Sequence, residues 1–203
     1  MKSFLYIALF FCLCSCFQNK EPLVGDTPFQ RSLNSSFKDA SQSPLKKKDR
    51  KEFKGLDFFK VDSTYIVQAQ LNHTPDSTFF EMPTTTDRMA KERVFGVVNF
   101  KIKGEDFKLK IYESQDLLDE EGYEDYLFLP FLDLTNGDST YGGGRYIEVR
   151  VNDKEKDTVI TIDFNTAFNP YCAYNEKYSC PIVPRNNFLN TEIKAGVKAF
   201  KKY

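Results

Sequence analysis

Two runs of alternating apolar and polar residues face each other across Lys103-Gly104-Glu105-Asp106, and this pairing constrains the fold more than any other stretch. In residues 94–103, Val98, Phe100 and Ile102 fall on one face. After the turn, Phe107, Leu109 and Ile111 alternate with Lys108, Lys110 and Tyr112. Successive side chains of a strand point to opposite faces, so a period of two on both sides of a Gly-containing turn predicts a β-hairpin with one buried face. A lone hairpin is marginal in water, so the chain needs further strands. Tyr65, Val67, Ala69 and Leu71 alternate with Gln68 and Gln70, a half-buried strand. Residues 126–134, 145–151 and 159–164 carry three more, and 186–194 a last one. Pro130 removes a ladder donor from its run and predicts an edge or a bulge there. Short connections imply antiparallel neighbours. The expected fold class is mainly β: an antiparallel curved sheet or open barrel, in preference to a clean sandwich, with short N-terminal helices.

Those helices lie before Gly55. Phe29, Leu33 and Phe37 recur at four-residue spacing, one stripe of an amphipathic helix. Asp26 or Thr27 stands where a cap belongs, and Pro28 suits the first helical position. Ser43-Pro44-Leu45 interrupts the pattern, and residues 47–53 read as a second short helix. The two segments are expected to lie across the domain as an N-terminal strap.

The first residues read as an export signal. Lys2 is followed by an apolar run over residues 4–13, too short to span a bilayer comfortably. It ends in Leu13-Cys14-Ser15-Cys16. A Leu three places before a Cys, with a small residue between, resembles a lipoprotein signal box. That resemblance implies removal of residues 1–15 and lipidation of Cys16; Cys14 fits worse because Leu13 precedes it. The alternatives are a plain secretory signal and a buried helix. Residues 16–27 are expected to form a flexible tether, leaving residues 28–203 as a single domain. The implied location is the cell envelope, anchored to a membrane by lipid and facing the periplasm or the cell surface.

Removal of the signal leaves Cys172 and Cys180 as an even pair in an exported protein, for which a disulfide is the expected state. Free thiols and a metal site are the alternatives, the latter weakened by the presence of a single histidine, His73. A formal net charge of -1 argues against a nucleic-acid partner. With 20 Phe and 11 Tyr the domain has material for a real core, which excludes disorder.

Enzyme signatures are mostly absent. No G-x-S-x-G elbow occurs, and Gly142-Gly143-Gly144 lacks the Lys-Ser/Thr tail of a phosphate loop, so it reads as a tight turn. Polar residues on otherwise apolar strand faces are the better signal. Asp133 follows Leu127, Leu129 and Phe131; Arg145 leads Ile147, Val149 and Val151; Asp163 shares a face with Val159 and Thr161. A buried charge is costly unless paired. These three residues either pair to fix the sheet edge or form a candidate pocket with Tyr141, Asn165, Asn169 and Tyr174. In the second case Arg145 would hold a small anionic ligand and a carboxylate would act as acceptor or acid/base.

Several long stretches resemble the family known as domain of unknown function 1684. They are SPLKKKDRKEFKGLDFFKVDSTY from Ser43, EMPTTTDR from Glu81, LFLPFLDLTNGDSTYGGGRY from Leu127, DFNTAFNPYCAYNEKYSCPIVPRNNFL from Asp163, and IKAG from Ile193. The resemblance implies no reaction, substrate or cofactor. Three readings of function stand side by side. The first is a membrane-tethered lipoprotein acting as a binding or structural module. The second is a hydrolase-like enzyme using Asp133, Asp163 and Arg145. The third is a metal site built from carboxylates. The missing catalytic signatures favour the first.

Overall fold

The computed structural model of the protein describes residues 24–200; the expected signal segment, Cys16 and the expected tether up to residue 23 lie outside the described residues. The hairpin expected from the alternation is the centre of the molecule. β3 (Met89–Ile102) and β4 (Glu105–Ser114) pair antiparallel, with Ile102 opposite Glu105. The turn is tighter than the sequence suggested: only Lys103 and Gly104 lie outside the strands, both at positive φ (51° and 87°). Two consecutive left-handed residues match the twist of the flanking strands, and Gly104 takes that conformation without steric cost.

Around this hairpin stand β1 (Ile66–His73), β2 (Phe80–Pro83), β5 (Tyr126–Asp133), β6 (Arg145–Arg150), β7 (Val159–Asp163) and the two-residue β8 (Phe188–Leu189). The strand order is β6-β5-β4-β3-β1-β7, with β2 on β3 and β8 on β5. All pairs are antiparallel except β5 with β8. β6 and β7, at the ends of this order, approach without pairing, so the sheet curls into a half-barrel. Its inner face holds the main core, with Ala69, Leu71, Val98, Leu109, Ile111, Leu127, Leu129, Ile147 and Ile162 almost fully buried. Each such aliphatic side chain contributes roughly 1.5–3 kcal/mol by leaving water.

The sheet uses both faces, and β3 is where it changes over. The register of β3 on β4 slips between Val94 and Gly96, a β-bulge that leaves Phe95 extra. Side chains alternate strictly, so one inserted residue exchanges the faces. Val98, Phe100 and Ile102 point into the main core, whereas Ala90 packs in a separate cluster with Met82, Tyr112, Phe128, Tyr146 and Val183 on the opposite face. The C-terminal segment covers part of that second face.

Pro130 marks neither the edge nor the bulge expected of it: β5 is interior, between β4 and β6, and the proline is accommodated in a weak seam. β4 and β5 meet through one register pair, Tyr112 with Phe128. Two residues further along, where Pro130 has no N–H to offer, the fully buried side chain of Asn187 stands in for a peptide unit. Its Oδ1 accepts from the Lys110 N–H (2.9 Å), and its Nδ2 donates to the carbonyls of Lys110 and Pro130 (2.7 Å each). The last strand is much shorter than residues 186–194: beyond its two residues the segment joins the sheet through the Asn187 side chain and scattered backbone bonds, the Leu132 and Leu134 N–H groups donating to the carbonyls of Asn187 and Thr191.

The strap is present. α1 (Pro28–Lys38) is capped by Thr27, whose hydroxyl accepts from the Gln30 N–H, and α2 is Lys47–Glu52. Phe37, Phe53, Leu45 and Leu56 pack with Tyr174 and Val197 in a third cluster. Residues 24–26, expected to belong to a flexible tether, are held in place. The Asn34 side chain donates to the Val24 carbonyl (2.8 Å), and Arg31 donates to the carbonyls of Gly25 and Asp26, so residues 24–26 are tied to α1. Among the described residues no helix is long and apolar enough to cross a membrane.

Candidate functional site

The residues singled out on the strand faces do not form one pocket. Asp133 and Arg145 do meet, with Nη2 2.9 Å from Oδ2, but both side chains are sealed from solvent. Arg145 also donates to the carbonyls of Ile193 (2.8 Å) and Ala195 and lies over the Phe131 ring at 5.2 Å. Asp133 accepts on Oδ1 from the Thr135 N–H and hydroxyl and from the Ile193 N–H. The glycine directly before Arg145 admits no ligand either. Gly144 sits at φ +88°, and a Cβ there would lie 2.7 Å from the Phe131 carbonyl, so the close approach is made by the chain itself. The expectation that Arg145 holds a small anion is therefore corrected: its donors are directed at the C-terminal segment.

Asp163 is elsewhere. Val159 and Thr161, with which it shares a face, point outward, while Ile160 and Ile162 line the core. Its carboxylate caps the short turn that follows, accepting from the Asn165 N–H (2.9 Å) and side-chain amide (2.8 Å). Asn165 in turn clamps the backbone of Asp62 through both amide atoms. Tyr174 is buried in the strap cluster, its ring 4.7 Å from that of Phe37 and nearly perpendicular to it. Asn169 donates to Tyr174 Oη and the Lys198 carbonyl. His73 lies at the end of β1, bonded to the Asp157 carbonyl. These residues hold loops; they do not converge on a cavity.

Tyr141 lies by the cysteines, its hydroxyl 3.9 Å from Cys172 Sγ. Cys172 and Cys180 are adjacent but not bridged: both thiols are free, and the Cys172 N–H donates to Cys180 Sγ at 3.2 Å. The disulfide expected from the sequence is thus absent from the structure. The thiol–thiol hydrogen bond stabilises the Cys172 thiolate and lowers its pKa to about 6, whereas Cys180, the donor in that bond and the more buried of the two, is pushed upward.

The cleft that the structure does contain lies on the outer face of the sheet. It encloses about 400 Å³ between β3, β4, β5 and β6 on one side and the Cys-bearing segment on the other. Tyr126, Phe128, Tyr146, Phe168 and Tyr171 give it an aromatic lining. A neighbouring cavity of about 430 Å³, walled by Phe29, Leu33 and Ser36 of α1, shares Glu148, Phe168 and Tyr171 with it. The rim is fixed by the block that follows β2. Ser179 Oγ accepts from Thr86 Oγ1 (2.7 Å) and Arg88 Nε (3.1 Å) and bonds Thr84 Oγ1, and the Tyr146 hydroxyl donates to the Pro181 carbonyl. In this way EMPTTTDR and the Cys-bearing segment, far apart in sequence, become one wall.

Glu92 is the unusual residue of this cleft. It is only 3% exposed, and its Oε2 is buried without any hydrogen-bond partner. Burial raises its pKa from the usual 4.5 to about 7; the Ser114 hydroxyl pulls it down, Asp116 pushes it further up and Arg88 lowers it. Tyr112, next to Glu92, is raised to about 12 by burial and by that carboxylate. Sequence reasoning missed Glu92 because it began this strand at Val94, whereas the strand starts at Met89, so Glu92 was left outside the alternation. A signal was available: Ala90 and Val94 flank Glu92 while Lys91 and Arg93 alternate with it, a lone carboxylate on an apolar face.

A folded-state pKa above the unfolded value means that the folded protein binds the proton more tightly. Stability should therefore be full below pH 4.5 and fall as pH rises to about 7. Its expected size is about 2–3 kcal/mol. The lowered Cys172 thiol titrates in the same window with the opposite sign, so denaturant unfolding at pH 5 and pH 8 should show this loss in a Cys172→Ser background and a much flatter profile once Glu92→Gln is added to it. Equal slopes in the two proteins would mean that Glu92 titrates normally.

Among the described residues no group of three or more His, Cys, Asp and Glu side chains is arranged to hold a metal ion. A family model described as "Protein of unknown function (DUF1684)" matches residues 51–198. The solution NMR structure of an uncharacterised protein of Haloarcula marismortui superposes with a TM-score of 0.67 at 32% identity, covering 83% of this chain and 89% of that one. No curated protein matches the chain.

Proposed function

From the premise that the chain belongs to the DUF1684 family, described as of unknown function, we propose that it is a membrane-tethered lipoprotein of the cell envelope whose domain is a small-molecule binding module. The observation that carries the binding reading is Glu92 Oε2, a buried and unpartnered carboxylate oxygen in a cleft lined by aromatic rings. An unsatisfied buried polar atom costs about 1–3 kcal/mol, and a ligand that supplies the missing partner recovers it. Apolar walls with a few placed polar groups are the usual make-up of ligand sites. The anchor rests on the signal box ending at Cys16 and on the short stretch between it and α1, which keeps the domain close to the bilayer. Attachment by lipid of this type needs no spanning helix. In an oxidising compartment the neighbouring thiols of Cys172 and Cys180 would join and tie down the segment that walls the cleft.

The hydrolase-like alternative loses its constellation, since Asp133 and Arg145 are sealed inside and Asp163 lies on the outer face of β7. A membrane fraction from cells fed a fatty-acid analogue tests the proposal. The chain is expected to carry label that Cys16→Ala abolishes. Native mass spectrometry of the extracted protein is expected to show a non-covalent adduct that Ser114→Trp, which fills the cleft, removes. Equal label in both proteins removes the anchor. An adduct that persists in Ser114→Trp removes the cleft as its site.

A further inference from the structure

The reading of the outer cleft as a binding site can be taken one step further, to the charge of its ligand. We propose that the cleft takes a small organic cation, an ammonium group on an apolar body, with the nitrogen bound at Glu92 and the body held among the rings of Tyr126, Phe128, Tyr146 and Tyr171. This inference rests on the binding function proposed above.

Three observations carry it. First, Glu92 Oε2 has no protein donor, although the side chain is 3% exposed and lines the cleft. An ionised carboxylate only accepts hydrogen bonds, and an ammonium group only donates them. Second, the fixed charges of the lining are acidic. Glu92 on β3, Asp116 after β4 and Glu148 on β6 stand against one cation, Arg88. Arg88 is already engaged: Nε and Nη2 donate to Ser179, and Nη1 lies 3.9 Å from Asp116. An anion would meet three carboxylates against a single arginine that is already engaged, a repulsion that disfavours it. Third, the remaining walls are aromatic, and ring faces attract organic cations. A volume of about 400 Å³ lies within the usual range for small-ligand sites.

Glu92 adds a proton linkage. The groups facing it are Arg88, the Tyr112 phenol and Ser114 hydroxyl on β4, Asp116, and Tyr126 on β5; Glu148 and the Cys180 thiol complete the wall. Glu148 also has its carboxyl raised by partial desolvation. Glu92, whose midpoint lies near neutrality, is inside the cleft, while the lowered thiol of Cys172 lies behind the wall. A cation binds the ionised carboxylate, so its affinity should rise about tenfold between pH 6 and pH 8, as expected for a midpoint near 7.

The test uses the full chain in phosphatidylcholine nanodiscs and three matched probes: 2-phenylethylammonium, 2-phenylethanol and 3-phenylpropionate. Amide shifts of Phe128, Tyr146 and Tyr171 report occupancy of the cleft. The expected result is at least about tenfold preference for the amine over the alcohol and weaker binding of the acid, as a charge-assisted bond implies. Glu92→Gln should bring the amine to the level of the alcohol and remove the pH dependence, whereas Cys172→Ser should keep both. If the alcohol or the acid shifts the cleft residues as strongly as the amine, the charge inference is wrong and the binding reading stands. If none of the three shifts them in folded protein, both fail.

Discussion

Arg145→Met is expected to cost about 3–5 kcal/mol of stability, the range for stranding one member of a buried ion pair. Asp133 Oδ2 would lose the guanidinium, and the carbonyls of Ile193 and Ala195 would lose their donors in a site without solvent. Burial already lowers the Arg145 pKa and Asp133 opposes that effect, so the charged pair persists only as a pair. Adding Asp133→Asn should recover part of the loss, because the neutral amide no longer needs a counter-charge; neighbouring residues of one network are not additive. Denaturant unfolding of the two variants measures both effects. A single variant that unfolds like the wild type would mean that Arg145 contributes through something other than this network.

Asn187→Ala should come second, at about 3–4 kcal/mol. The Lys110 N–H and the carbonyls of Lys110 and Pro130 would each face a gap, and leaving a buried backbone group unsatisfied costs about 1–3 kcal/mol. Water entering the gap would offset part of that sum. Amide exchange distinguishes this mechanism from simple cavity formation: protection should fall first at Lys110 and along β4–β5 and be retained at β1–β3. Uniform loss of protection over the whole sheet would refute the view that Asn187 acts as a local link.

The parts of the fold that were legible follow from one property, uninterrupted alternation. Tyr65, Val67, Ala69 and Leu71 are all buried, and the Val98–Phe100–Ile102 face is the core, because β1 and the second half of β3 carry no irregularity. β2 was not legible: Phe80-Glu81-Met82-Pro83 buries Met82 alone and ends in a proline. The segment 186–194 kept only two residues of strand, since its attachment runs through Asn187 and through the backbone of Ile193 at Asp133. For the site, the sequence marked Asp133 and Arg145 as charges on apolar faces, and they do pair. Pattern alone could not tell that the shared face was the closed one. Asp163 was assigned by parity to a face that Val159, 54% exposed, shows to be the outside. Glu92 stood outside the strand as read from residue 94, and the slip at Phe95 puts the residues before it on the outer face instead of in the main core.

The contacts of the C-terminal segment have a consequence for the order of assembly. A chain is synthesised from its N-terminus, and domains begin to fold as they emerge. Here the seam between β4 and β5 lies in the middle of the sheet, yet it is closed by Asn187, and Arg145 finds its carbonyl partners only at Ile193 and Ala195. A stretch that appears after both is thus the one that joins two parts already made, β1–β4 and β5–β6. Until it arrives, the β5 backbone beyond Phe128 is an open edge and Arg145 has only Asp133. A ribosome-stalled chain ending before Asn187 would present that edge to its surroundings, and emergence of residues 187–195 would act as the locking step.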